Sequence, residues 1–190
     1  IEVIKKKEFW YLFIPYSLCG FTDVGLINTH FIPFAQGKGF DTSIIALTFS
    51  IIAAFNILGT IVTGLLSDRL NRGLQLALIY MVRCLMFIFL LTIQNPKLLI
   101  IFAIFYGSTE MATIAPTNSL TVCIFSEYSI GAVISLVAIS HQIGGALGSW
   151  IPGLVYDLTG SYYPIFIFSI GLLVVAAVIS SRLRDPDHLP

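Results

Sequence analysis

The sequence predicts an all-α membrane protein: six transmembrane helices arranged as two inverted three-helix repeats. Three observations predict it: 57% of the residues are hydrophobic and only 11% charged, six apolar stretches are long enough to cross a bilayer, and one motif recurs in both halves of the chain. A soluble domain carries roughly 25% charged residues. A fold of 190 residues has too little interior to hide this much apolar surface from water, so the solvent around these helices is lipid.

Each crossing of a bilayer core takes ~20 apolar residues. The stretches that qualify are about 9–34, 43–67, 74–93, 98–124, 131–156 and 162–181, read as a single six-helix domain with short connections. Pro and Gly inside several of them are tolerated because neighbouring helices satisfy the freed backbone groups. With the N-terminus in the cytoplasm, Lys5, Lys6, Lys7, Arg69, Arg72, Arg182 and Arg184 lie inside, and only Lys38 and Lys97 outside. That bias predicts both termini cytoplasmic. Trp10, Tyr11, Tyr162 and Tyr163 fall at span ends, where interfacial aromatics sit.

The formal net charge is zero, so no basic field points to nucleic acid. Cys19, Cys84 and Cys123 lie in apolar runs without paired spacing, which predicts buried thiols, no disulfide framework, no metal and no cofactor. The sequence begins at Ile1 with no leader pattern, and reads as an excised half without its N-terminal partner.

The repeat is legible residue by residue. Leu58-Gly59, four residues, Gly64-Leu65, two residues and Asp68 match Leu147-Gly148, four residues, Gly153-Leu154, two residues and Asp157. Gly20-Phe21-Thr22-Asp23 likewise matches Gly107-Ser108-Thr109-Glu110. The offsets are 89 and 87 residues, so one small insertion reconciles them. Three spans per unit is an odd number, so the second unit crosses the membrane in the opposite sense.

Between the second and third spans runs Gly64-Leu65-Leu66-Ser67-Asp68-Arg69-Leu70-Asn71-Arg72-Gly73. Asp68 and Arg72 have i,i+4 spacing, suited to an ion pair at a helix end, and Gly64 permits close approach of a neighbouring helix. This segment resembles the cytoplasmic loop motif of the major facilitator superfamily, Gly-x-Leu-Ala-Asp-Arg-x-Gly-Arg-Lys, with Asn71 and Gly73 as departures. The resemblance makes Gly64, Asp68, Arg69 and Arg72 a conformational latch. The run from Gly144 to Gly153, with Gly148 and Pro152 inside it, is similar to the glycine–proline helix of the same superfamily; Gly144 and Gly148 form a small-xxx-small pair for tight packing.

Cys19-Gly20-Phe21-Thr22, Thr29-His30-Phe31-Ile32-Pro33, Ala112-Thr113, Pro116-Thr117 and His141-Gln142 resemble, more narrowly, bacterial porters of the monocarboxylate and oxalate–formate branch. Two positions depart from that branch: residues 43–67 lack its substrate-binding arginine, and Glu127 stands where basic residues are usual. The resemblance implies half of a secondary transporter in a bacterial inner membrane, working with an N-terminal six-helix half or a second copy. Its solute would be small, for example an organic anion, moved with a proton or by exchange. The alternative is a stand-alone six-helix channel or membrane scaffold. No Gly-x-Ser-x-Gly elbow or His-Glu-x-x-His helix is present, so an enzyme is not expected.

Ionisable groups inside a span cost ~2.5–3.5 kcal/mol even on lenient insertion scales, and they mark function by default. Asp23, Arg83 and Glu110 lie mid-span, with His141 close to that depth. Tyr16, Gly20, Asp23, Ile27 and His30 recur on one face of the first helix, and Tyr106, Glu110, Thr113 and Thr117 on one face of the fourth, with Thr109 and Thr121 beside it. Both faces are expected to line a wet cavity, with Asp23 and Glu110 as proton carriers or solute contacts. Arg83 is expected to neutralise one of them, Glu110 ahead of Asp23. His141 is either a ligand or a packing residue beside Gly144, and Gln142 aligns with Ser135 and Ser149 on another face. Asn56 reads as an interhelical hydrogen bonder or a solute contact.

Overall fold

The computed structural model describes residues 2–186. Among these it shows six long apolar helices: α1 Lys7–Gly37, α2 Thr42–Ser67, α3 Arg72–Thr92, α4 Pro96–Ile124, α5 Ile130–Thr159 and α6 Tyr163–Ser180. The first and fifth outrun their apolar windows, because Gln36 and the Tyr156–Thr159 turn stay helical beyond the hydrocarbon-like run. Helix ends follow local chemistry. Asn71 caps α3 by accepting the Leu74 N–H, Asn95 accepts the Lys97 N–H ahead of Pro96, and Gly160 ends α5 at φ 67°.

Two helices are interrupted, and they are the symmetry-related pair. In α1 the stretch Phe21–Ile27 is π-helical. There Thr22 Oγ1 donates to the Leu18 and Cys19 carbonyls, and the Val24 N–H donates to the Asp23 carboxylate. Side chains thus take up backbone groups that a regular ladder would use. In α4 regular helix stops at Glu110 and resumes at Ile114. Pro116 lacks the N–H that would reach the Ala112 carbonyl, and the Met111 N–H goes to Asn56 Oδ1 at 3.2 Å.

The helices pair α1 with α5, α2 with α4 and α3 with α6. Glycines set the first two crossings. A Cβ on Gly20 would lie 2.0 Å from the His141 carbonyl oxygen, and one on Gly148 would lie 2.2 Å from that of Phe21. In the other pair, a Cβ on Gly107 would meet the Ile52 carbonyl oxygen at 2.7 Å, and one on Gly59 that of Ser108 at 2.1 Å. Gly20, Phe21, His141 and Gly148 map onto Gly107, Ser108, Ile52 and Gly59 by the same offsets of 87 and 89 residues. The two triplets therefore use one contact pattern, as inverted repeats should. Gly144 joins the α1–α5 crossing, its Cβ direction meeting the Ser17 carbonyl oxygen at 1.9 Å.

Contacts also sort the helix ends. Arg72 pairs with Asp185, and the Lys6 ammonium lies 4.8 Å from the Tyr128 ring centre, so both chain flanks and the α2–α3 and α4–α5 turns share one end. Lys38 donates to the Leu90 and Leu91 carbonyls, and Tyr163 Oη also reaches Leu91, so the other three turns share the opposite end. The core between them is aromatic: Phe102 stacks on Phe31 and Tyr106, and Phe166 contacts Phe34 and Phe87. Large apolar side chains such as Ile57, Leu65 and Trp150 stay exposed on α2 and α5.

The loop motif departs from expectation. Arg72 turns away from Asp68 and onto Asp185, with Nη1 3.0 Å from Oδ1, while its Nε donates to the Ser67 carbonyl at 3.0 Å. Asp185 also accepts the Arg72 N–H at 2.9 Å, so it caps the first turn of α3 and neutralises the guanidinium at once. Asp68 and Arg69 are exposed. Among the described residues nothing lies within 4 Å of the Gly64 Cβ direction, so no described helix uses the close approach Gly64 permits.

Candidate functional site

The π-helical turn of α1 presents Asp23 to the middle of the bundle, where only 1% of it is exposed. Its Oδ2 lies 3.5 Å from Arg83 Nη1 on α3 and 3.4 Å from His141 Nε2 on α5, and it accepts the Cys19 thiol at 3.3 Å. Arg83 is fully buried. It donates through Nη1 to Cys19 Sγ at 3.0 Å, through Nε and Nη2 to the Thr109 carbonyl, and through Nη2 to the Glu110 carbonyl. The guanidinium thus fastens the π turn of α1 to the interruption of α4.

The expected Arg83–Glu110 side-chain pair is corrected here: Arg83 takes the carboxylate of Asp23 and only the backbone carbonyl of Glu110. The Glu110 side chain turns to α2, where Asn56 Nδ2 donates to Oε2 at 2.6 Å. Asn56 spends both ends of its amide on this junction, one on the carboxylate and one on the Met111 N–H.

The hydroxyl faces are corrected as well. Tyr106, Thr113, Thr117 and Thr121 are buried rather than open to a cavity. Thr121 and Thr109 satisfy their hydroxyls on carbonyls of their own helix, an outlet open to hydroxyls inside a helix. On α1, Tyr16, Gly20, Asp23, Ile27 and His30 do share a face, but it packs on α5: Tyr16 lies against His141 with ring centres 4.6 Å apart and planes tilted by 42°, and His30 Nε2 lies 2.8 Å from the Ser149 carbonyl oxygen. His141 packs against Tyr16 and pairs with Asp23, and its side chain is 16% exposed. Of Asp23, Arg83 and His141, it is therefore the one with an edge at the surface. Gln142, its neighbour, is exposed.

Cys19, read from its spacing only as a buried thiol, joins this cluster. Its sulfur touches Arg83 and Asp23 and lies 3.4 Å from Thr113 Oγ1. The available signal was its place one helical turn before Asp23. Cys19, Asp23 and His141 hold their ligand atoms within 4.8 Å of one another. The Arg83 guanidinium already occupies the position facing both sulfur and carboxylate, so the set is an ion-pair cluster rather than a cation cage.

Charges this deep in a bundle of apolar helices, held where two inverted repeats are interrupted, define an integral membrane protein built like half of a secondary transporter. The family model of the Major Facilitator Superfamily matches residues 17–190, and the chain belongs to that superfamily, a family of transporters rather than of enzymes. It is 32% identical over 177 residues to the uncharacterized MFS-type transporter YcxA of Bacillus subtilis (strain 168), an alignment covering 88% of this chain and 42% of that protein. The chain thus spans less than half the length of the curated relative it matches.

Proposed function

We propose that this chain forms the C-terminal half of a secondary transporter that moves a small organic anion, such as a monocarboxylate, by alternating access coupled to a proton or to exchange. The observation that carries the reading is one carboxylate oxygen, Asp23 Oδ2, shared between Arg83 and His141. In the resting arrangement Asp23 supplies the negative charge both partners need. When a proton neutralises Asp23, Arg83 and His141 lose their counter-charge, and the carboxylate of a solute can replace it. One proton and one anion then enter together, so the net charge of the site is the same before and after loading.

Access follows from the same geometry. His141 is the exposed edge, whereas Arg83 is reached only when α1 and α5 part at their glycine crossing. Glu110, held by Asn56 at the equivalent place in the second repeat, is assigned the role of a second protonatable group facing α2. Tyr16 and Tyr106 border the cluster, Thr113 contacts it through Cys19, and Gln142 stands on the exposed side of His141. An N-terminal six-helix half, or a second copy, supplies the opposite wall.

The test uses the full-length protein in lipid vesicles loaded with a pH-sensitive dye. An inward proton gradient should drive uptake of a radiolabelled monocarboxylate, with matching acidification. Asp23→Asn keeps an acceptor for Arg83 but cannot gain a proton; it should lose gradient-driven uptake while retaining anion exchange. An unchanged pH dependence in Asp23→Asn would sink the coupling assignment. Saturation-free flux, with no stimulation by counter-solute, would instead favour a channel.

A further inference from the structure

The chain flanks converge at the end of the bundle opposite Lys38. A pocket of about 460 Å³ opens there between Lys6, Glu8, Cys123, Ile124, Arg184 and Pro186. A smaller cleft beside it is walled by Lys7, Glu8, Tyr11, Arg182 and Arg184. Lys6 and Arg184 border the pocket, Lys7, Arg182 and Arg184 border the cleft, and Glu8 is the one acid among the residues that line them. None of these four cations has a carboxylate within 4.0 Å among the described residues, in contrast to Arg72 and Arg83, which do. The Lys6 ammonium lies over the face of Tyr128. Like charges gathered without partners repel one another, and an anion placed among them removes that cost.

We infer that this end of the bundle holds the headgroup of an anionic phospholipid, with its phosphate among Lys6, Lys7, Arg182 and Arg184. Position favours a lipid over a free phosphate. Lys7 opens α1 and Arg182 follows the end of α6, so the cations stand where two spans leave the apolar layer. Exposed Trp10, half-buried Tyr11 and half-buried Ile124 lie beside them, and Trp10 ties its indole N–H to the Ile4 carbonyl at 2.9 Å. This places an aromatic anchor at headgroup depth with the basic residues next to it, the arrangement that attracts anionic lipid surfaces. Glu8 weakens the field for a small free anion, whereas a lipid is also held through its acyl chains. The inference does not depend on what the central cluster transports.

The purified full-length protein tests it in nanodiscs of phosphatidylcholine mixed with phosphatidylglycerol, with retained lipids counted by native mass spectrometry. The wild type should retain phosphatidylglycerol over phosphatidylcholine by about tenfold or more, and each of Lys6→Gln, Lys7→Gln, Arg182→Gln and Arg184→Gln should lower that ratio up to about fivefold. Lys97→Gln, at the other end, should leave it unchanged. The single variants are read alongside their melting temperature in pure phosphatidylcholine, which should match the wild type, so that loss of lipid is separated from loss of fold. Equal retention of the two lipids by the wild type, or ratios untouched in all four variants, overturns the inference. Displacement of phosphatidylglycerol by inorganic phosphate, beyond the effect of chloride at the same ionic strength, overturns it too, by marking a site for soluble anions.

Discussion

Arg83 binds three helices together through a single planar group. Its guanidinium presents five donors in a fixed fork, and the structure uses them on a carboxylate and a thiol of α1 and on two carbonyls of α4. Lysine would keep the charge but not that geometry. Asp23→Ala removes the counter-charge altogether, and removing one partner of a buried pair costs about 3–5 kcal/mol. Asp23→Ala should therefore lower the melting temperature sharply, and adding Arg83→Leu should recover part of the loss, as a double-mutant cycle of thermal unfolding in detergent would measure. Equal and additive losses would show that the two side chains do not depend on one another. Intramembrane charge was legible in the sequence because Asp23, Arg83 and Glu110 interrupt apolar runs. The pairing was not, because spacing within one helix carries no information about which helix stands opposite. Cys19 was half legible: it lies one turn from Asp23, but nothing in its own segment announces Arg83.

Helix crossings decide which glycines matter. At Gly148 an added Cβ meets backbone of α1 at 2.2 Å, and backbone cannot step aside as a flexible side chain can. Gly148→Leu should prevent the α1–α5 pair from closing, read as aggregation on size-exclusion chromatography. Gly64→Ala meets open space; it should be neutral, or gain up to about 1 kcal/mol from helix propensity. A folded, monodisperse Gly148→Leu protein would contradict the packing described. The latch segment behaves similarly at this scale. Asp185 both caps α3 and pairs with Arg72, so Asp185→Asn should cost about 1–3 kcal/mol, through the loss of a charge-assisted bond, and more than Asp68→Asn. The Asp68–Arg72 spacing suggested a local pair, but a cation at a helix N-terminus does better with an acid that also serves the orphan N–H groups. That acid comes from after α6, more than a hundred residues along the chain.

Across the whole molecule, symmetry is exact enough in contacts to be read from offsets and broken where chemistry is needed. Gly20 and Gly107 make equivalent crossings, and Asp23 and Glu110 occupy equivalent positions, yet only Asp23 has Arg83 and His141 as partners; Glu110 has Asn56. The repeat in the sequence foretold the frame, because glycine spacing is dictated by close backbone approach. It could not foretell the asymmetry, because Arg83 and His141 have no counterparts in the other triplet. The hydroxyl faces show the remaining gap: a stripe unsuited to lipid can face a wet passage or a dry helix contact, and α4 chose the second. The proposed function requires water to reach Asp23, Arg83 and His141 along the His141 edge. The most direct measurement is the reaction rate of Gln142→Cys with a charged, membrane-impermeant thiol reagent, in the full-length protein in lipid vesicles, against the unsubstituted protein and against Val174→Cys on the exposed face of α6. Gln142→Cys should react at least tenfold faster than either and be slowed by the transported anion. Reaction no faster than Val174→Cys would contradict it.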